Sequence, residues 1–388
     1  MQPSVVVAPR AEQRIEAGHL WIYKSDVLEA RAEPGDVVAV LGAGRRSLGW
    51  ALYSDRSQIT LRLLSHAADP VDEAFWRRRL EQAIGYRARL AIDATAFRLV
   101  HAEGDLLPSL IVDRYGDYLV VQSLSQGVER MLPTLTRLLV EQLAPRGILA
   151  RNDVKVRALE GLEPRVDVLH GDVPPSIAVR EGPIEYDVDP WKGQKTGLFL
   201  DQRENRVAAA DYARGRLLDC FSYQGGFAMR LAPRCDDVTA VDISGGAVAH
   251  ITANAARNGL PQIQAREANV FDELRRLEQE GERFDTIVLD PPAFAKNKAS
   301  VPRALAGYRD INLRALRLLN PGGTLVTCSC SYNVDEATFG QIVHEAAADA
   351  MVHVNVVEKR MQARDHPVLL GVPASYYLKC LILEATSL

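Results

Sequence analysis

Between Arg216 and Cys328, five short apolar runs alternate with stretches of helical spacing: Arg216–Cys220, Val238–Asp242, Ile263–Arg266, Thr286–Asp290 and Thr324–Cys328. Such runs read as strands buried on both faces, and a strand–helix–strand rhythm covers those faces with helices. The expected core is a parallel, doubly wound sheet, which binds ligands beyond the carboxyl ends of its strands. Met351–Val357 and Tyr376–Ala385 read as a hairpin closing one edge. Ahead of the sheet, Asp201-Gln202-Arg203-Glu204 reads as a capping box opening a helix over residues 202–212.

With 388 residues the chain exceeds one ordinary core, and three domains are expected. Residues 1–68 read as an all-β barrel, with strands at Val37–Leu41, Leu48–Tyr53 and Ile59–Leu64 and a turn carrying Arg45 and Arg46, as a solvated loop or one that meets a phosphate. Residues 69–190 read as a small α+β module. Its first helix, over 71–92, has Phe75, Leu80, Ile84 and Leu90 as an apolar stripe. Arg77, Arg78, Arg79, Arg87 and Arg89 surround that stripe, as a solvated face or one turned to nucleic acid. A hairpin over 110–122, a helix Val128–Leu143 and strands Gly147–Asn152 and Ile184–Val188 complete the module. Residues 191–388 hold the doubly wound sheet.

Composition narrows the class without naming a partner. At 47% hydrophobic and 25% charged the chain is ordinary globular material, and its N-terminus has no long apolar run to serve as signal peptide or membrane span. Five scattered cysteines, an odd number, point to reduced thiols in a cytoplasm. Without a Cys-x-x-Cys pair or a histidine cluster, no metal site is expected. A net charge of −4 does not advertise nucleic acid, but local patches rather than totals set the field a phosphate meets.

The strand ends carry the chemistry. Gly225-Gly226, before a helix, lets backbone approach a ligand, and Asp242 at the end of the next strand can accept from two ribose hydroxyls. Asn269 and Asp290 end the following two strands. The Gly-x-Gly-x-x-Gly cradle of a dinucleotide is missing, so a ribose and adenine cofactor without pyrophosphate fits better, namely S-adenosylmethionine. The fifth strand delivers Cys328 and Cys330. Two residues of strand span roughly 6.6 Å, which puts Cys330 nearer the ligand end and leaves Cys328 as packing. Core is also the expectation for Cys220, Cys235 and Cys380.

Asp219-x-Phe221-x-Tyr223-x-Gly225-Gly226-Phe227, Asp290-Pro291-Pro292 and Ser329-Cys330-Ser331 together resemble the class I methyltransferases that form 5-methylcytosine in 23S (large-subunit) ribosomal RNA. The similarity is to the single-cysteine branch with an N-terminal PUA domain. Gly193-Gln194-Lys195-Thr196-Gly197 with Leu200-Asp201-Gln202-Arg203 resembles that family's segment ahead of the sheet, and His101–Asp105 with Asp113–Gly116 its central module. Gly18-His19-Leu20-Trp21 stands where the family has an aromatic after a His-Pro pair. The resemblance implies a PUA-like barrel, a small α+β module and a Rossmann-like methyltransferase domain. It implies a cofactor site drawn from Thr196, Gln202, Arg203, Phe221, Ser222, Tyr223, Gly225, Gly226, Asp242, Ile243, Asn269 and Asp290. Its implied partner is large-subunit ribosomal RNA, with no membrane or metal; a homodimer is the oligomer considered.

Carbon 5 of cytosine is too poor a nucleophile to attack a sulfonium methyl unaided. In the mechanism the family implies, the Cys330 thiolate adds to carbon 6, and Asp290 holds the amide edge and favours protonation at N3. The base for the carbon 5 hydrogen is left unassigned. Three other readings compete with this one. An exocyclic-amine methyltransferase wants an aromatic directly after Asp-Pro-Pro, where this chain has Ala293 and then Phe294. A non-catalytic RNA-binding factor would keep the pocket but not the transfer, and a nicotinamide-dependent oxidoreductase lacks its glycine fingerprint.

Overall fold

The computed structural model describes residues 2–66, 70–295 and 297–386. The chain divides into two compact units. The first comprises Met1–Gly182, Asp187–Leu200 and Arg364–Ser375; the second comprises Pro183–Tyr186, Asp201–Ala363 and Tyr376–Leu388. The division expected between residues 68 and 69 lies outside the described residues.

The first unit opens with a six-stranded sheet that contains the three expected strands and three others, Ser4–Val7, Trp21–Tyr23 and Val27–Arg31. It is not all β. A helix, Pro9–Glu16, starts at a proline and buries Ala11 and Ile15 against Val5, Val38 and Leu61. Its short length and mostly polar sequence hid it among the turns. Arg45 and Arg46 are exposed and pair with Glu29 and Glu16.

A five-stranded sheet follows, with the hairpin Leu110–Tyr115 and Tyr118–Ser123 and the parallel strand Gly147–Asn152 at its centre. Helices Glu73–Arg89 and Gln126–Leu143 bury Phe75, Trp76, Leu80, Leu132, Leu135 and Leu139 with this sheet's Val112 and Leu119. The basic face read on the first helix is partly consumed. Arg87 is buried, paired with Asp105 at 2.5 Å and bonded to the Asp365 carbonyl, while Arg77 pairs with Glu141.

The second unit holds the doubly wound sheet, whose strands are numbered here β1 (Arg216–Cys220), β2 (Asp237–Asp242), β3 (Ile263–Glu267), β4 (Phe284–Leu289), β5 (Leu319–Ser329), β6 (His353–Arg360) and β7 (Lys379–Thr386). Their order is β3-β2-β1-β4-β5-β7-β6. The first five are mutually parallel, and β7 and β6 close the edge as an antiparallel pair. Helices α1 (Arg203–Ala210), α2 (Gly226–Leu231), α3 (Gly245–Arg257), α4 (Val270–Glu280), α5 (Val301–Leu318) and α6 (Glu336–Ala350) complete this unit. Sequence order reverses between β1 and β4, and that switch point is where the loop after β1 and the Asp-Pro-Pro turn emerge.

Two local expectations are corrected. Asp201 does not cap α1: a short 3₁₀ turn, Leu200–Gln202, precedes the helix, Gln202 takes the N-cap position, and the Asp201 carboxylate accepts from Tyr377 Oη at 2.7 Å. The fifth strand starts earlier than Thr324. Leu319 already pairs with Phe284, and Asn320-Pro321-Gly322-Gly323 forms an irregularity inside β5 rather than a turn before it.

Candidate active site

The loop after β1 is built from three left-handed residues. Phe221 (φ 62°), Tyr223 (φ 53°) and Gly225 (φ 81°) alternate with ordinary backbone, which coils residues 221–225 tightly before α2. At Gly225 a Cβ would lie 2.8 Å from Met229 Cε, the movable end of a flexible side chain, so it is the left-handed φ that calls for glycine there. Gly226 is in helical conformation, and a Cβ on it would meet the Arg206 side chain at 3.2 Å.

Asp219 anchors this loop from below. Its Oδ2 accepts from Ser222 Oγ at 2.5 Å and from the Ala228 N–H at 3.0 Å, while Oδ1 is buried with no hydrogen-bond partner. Burial is the main cause that raises its carboxyl from 3.8 to about 7. Asp242 ties the loop to β2: Oδ2 accepts from the Tyr223 N–H at 2.9 Å and Oδ1 from the Ser244 N–H at 3.0 Å. Each carboxylate oxygen has two lone pairs, so each keeps one for a ligand hydroxyl. Ile243 beside it is 67% exposed, an apolar surface at the strand end. Asn269 caps α4, its Oδ1 accepting from the Phe271 N–H at 2.9 Å. A coiled glycine loop, an orphaned carboxylate oxygen, a ribose-compatible aspartate and an exposed isoleucine suit an adenosyl cofactor with a cationic tail.

The other expected cofactor residues divide. Phe221 packs edge-on to Phe271 and Phe294, and Arg203 is buried at the start of α1. Gln202 faces Asp290: its Nε2 donates to Asp290 Oδ1 at 2.8 Å, and its Oε1 accepts from Asn205 Nδ2 at 2.7 Å. Arg360 Nε in turn donates to Asn205 Oδ1 at 3.1 Å. Thr196 belongs to the first unit, where its hydroxyl is already engaged with Asp113 (2.6 Å) and Tyr115 (2.9 Å).

The five cysteines separate cleanly by environment. Cys220, Cys235, Cys328 and Cys380 are buried, and Cys330 is partly exposed. Burial pushes the Cys220 and Cys328 thiols well above the ordinary range and Cys235 up to about 12. Cys328 sits opposite Cys380 in the β5–β7 pairing. Cys330 lies one residue past β5, with Sγ 3.7 Å from the Pro291 carbonyl of the Asp-Pro-Pro turn.

The flanking serines explain how the thiol is aimed. Ser329 Oγ and Ser331 Oγ both bond the Tyr308 hydroxyl, at 3.0 and 2.9 Å, and Ser331 Oγ accepts from the Ala295 N–H at 3.1 Å. Both serines are fully buried, so residues 329 and 331 are pinned on α5's Tyr308 and Cys330 between them keeps access to the mouth. Phe294, the aromatic one place late for amine chemistry, is also spent on Tyr308, with ring centroids 4.8 Å apart. Sequence reading missed Tyr308, and missed Gln202 as the partner of Asp290. Tyr308 stands in no motif, and the segment around Gln202 gives no sign of Asp290; only the fold brings α5 under the cysteine and the turn before α1 onto β4.

Among the described residues no group of three or more His, Cys, Asp or Glu side chains could hold a metal ion, and no helix is long and apolar enough to cross a membrane.

Residues 5–66 match a PUA-like domain, and residues 98–383 match the S-adenosylmethionine-dependent methyltransferase family. The ribosomal RNA large subunit methyltransferase I of Vibrio cholerae is 39% identical over 98% of both chains. That of Tolumonas auensis is 40% identical over 99% of this chain and all of the other. Two solved structures share the fold. A methyltransferase complexed with S-adenosylhomocysteine superposes with TM-score 0.86 at 22% identity, and an S-adenosylmethionine-dependent methyltransferase from Streptococcus mutans with 0.85 at 21%, each covering 99% of this chain and 100% of that one. The chain belongs to the S-adenosylmethionine-dependent methyltransferase family, with a PUA-like domain at its N-terminus and the ribosomal RNA large subunit methyltransferase I proteins as relatives.

Proposed function

We propose that this enzyme methylates carbon 5 of a cytosine in large-subunit ribosomal RNA, with Cys330 as the nucleophile. The observation that carries the reading is the pairing of strand ends: Cys330, the one cysteine of the five that is not buried, faces the Asp290-Pro291-Pro292 turn of the neighbouring strand. The near full-length likeness to ribosomal RNA methyltransferases supports the substrate class, and the PUA-like domain supports an RNA partner.

The cofactor supplies an electrophilic methyl group. Gly225, Gly226 and the backbone of Phe221–Tyr223 would cradle it, with Asp242 on its ribose and Ile243 and Asn269 near its base. Cys330 forms a bond from sulfur to carbon 6 of the flipped cytosine, making carbon 5 electron-rich. Asp290, its orientation fixed by Gln202, holds the N3 and N4 edge as charge builds there. After carbon 5 has taken the methyl it loses its hydrogen as a proton, the sulfur–carbon bond breaks with its electron pair returning to sulfur, and the ring regains its double bond. Five unbonded cysteines and a ribosomal RNA substrate support action in the cytoplasm, where thiols stay reduced.

The test is trapping. Fluorine at carbon 5 blocks the final proton loss, so RNA carrying 5-fluorocytosine should form a complex with the wild-type enzyme that survives denaturation. No such complex with an RNA that is otherwise methylated would contradict the thiol mechanism. An exocyclic-amine enzyme would leave the methyl on nitrogen and trap nothing.

A further inference from the structure

One buried cation near the nucleophile has been given no part in the chemistry so far. Lys379 opens β7 in register with Ser329 of β5 and is 2% exposed. Its Nζ donates to the Ser331 carbonyl at 2.7 Å and to the Tyr377 carbonyl at 2.9 Å. Two of its three protons are thus fixed on the backbone, one of them on the residue that follows Cys330. Among the described residues no carboxylate lies within ion-pairing reach of it.

That arrangement is expensive as packing alone. An ammonium taken out of water needs a compensating negative charge, and carbonyl dipoles supply only part of it. The desolvation is visible in Lys379 itself, whose ammonium is drawn down to about 8 chiefly by burial. The charges that act back on it are Cys330 first and then Asp335, whose side chain already caps α6 through the Thr338 N–H at 2.7 Å. Among the described residues nearby, Asp290 follows β4 and the Tyr308 hydroxyl of α5 is shared between Ser329 and Ser331, and neither is a cation. A thiol at a strand end gains nothing from a helix dipole and needs a cation to ionise near neutral pH.

We infer that Lys379 is the positioning cation of this site: clamped by the Ser331 and Tyr377 carbonyls, its ammonium stabilises the Cys330 thiolate before the thiolate attacks. The inference rests on Cys330 being the nucleophile. Lys379 touches neither base nor cofactor in this role; it acts through Cys330, and no proton passes between them. The Cys330 thiolate likewise explains why a lysine is tolerated in a strand whose next four residues are all buried and apolar.

The experiment reads the thiol directly, without RNA. Iodoacetamide alkylation of Cys330 is followed by peptide mass spectrometry across pH, with Cys330→Ser giving the baseline from the four buried cysteines. In the wild-type enzyme the midpoint should fall below the ~8.5 of a free thiol; a midpoint at or above that value overturns the inference. Lys379→Gln keeps donors for the carbonyls but removes the charge. It should raise the midpoint by about one unit, roughly a tenfold loss of reactivity at neutral pH, while Lys379→Arg stays near wild type. A Gln variant that melts and binds cofactor like wild type but alkylates with an unchanged midpoint also overturns it. The two readings fail separately: full methyl transfer by Cys330→Ala removes the nucleophile, whereas a dead Cys330→Ala with an unshifted Lys379→Gln removes only the lysine's role.

Discussion

Gln202 Nε2 donates to Asp290 Oδ1 at 2.8 Å, joining the turn before α1 to the end of β4. The bond is directional because Asn205 holds the Gln202 oxygen and Arg360 holds the Asn205 oxygen, so each amide is fixed in one orientation. The carboxyl proposed to meet the cytosine is therefore oriented by residues that need not touch either ligand.

Gln202→Leu should remove that donor from the half-buried Asp290 carboxyl. A lost bond to a charged group costs about 1.5–3 kcal/mol, so methyl transfer should fall roughly tenfold to a hundredfold. Cofactor affinity, measured by calorimetry, should change far less. A variant with weakened cofactor binding and normal turnover would return Gln202 to the cofactor site.

Asp242→Ala should weaken cofactor binding about tenfold or more, because it removes the ribose acceptor and both backbone anchors of the loop at once. Asp242→Asn keeps one acceptor oxygen and should lose less. Equal affinity for wild type and the alanine variant would remove the ribose assignment.

Gly225→Ala places a Cβ against Met229 at a left-handed residue. Strain of this kind costs about 1–3 kcal/mol, so the melting temperature should drop, with cofactor affinity falling alongside it. A variant as stable as wild type would mean that the loop relaxes freely.

Asp219 should make stability depend on pH in an unusual direction. Its folded carboxyl is raised, mainly by burial, from 3.8 to about 7, so in that interval the folded state holds a proton that the unfolded state has lost. Its contribution is fully present below 3.8, declines as pH rises, and is gone above about 7. Unfolding of wild type and Asp219→Asn across this range should show the decline in wild type and a flatter profile in the variant. Parallel profiles would contradict it.

The sheet was legible because buried parallel strands are short apolar runs: Arg216–Cys220 appears with the expected ends. The separation of Cys328 from Cys330 followed from strand direction, and the burial of Cys328 against Cys380 agrees with it. Long-range polar partnerships were not legible. Asp201 looked like a cap because the residues beside it fit one, yet its carboxylate bonds Tyr377, 176 residues away. Arg87 looked like part of a basic face, yet it is buried on Asp105 and the Asp365 carbonyl. Lys379 left a trace that reading by runs passes over, a charge at the head of an apolar strand.

The most direct test follows methyl transfer from labelled S-adenosylmethionine to large-subunit ribosomal RNA by wild type, Cys330→Ala and Cys328→Ala, with the product base identified after digestion. The account predicts label in 5-methylcytosine for wild type, most of that activity for Cys328→Ala, and none for Cys330→Ala with its cofactor affinity intact. Full transfer by Cys330→Ala, or label on any other base position, would contradict it.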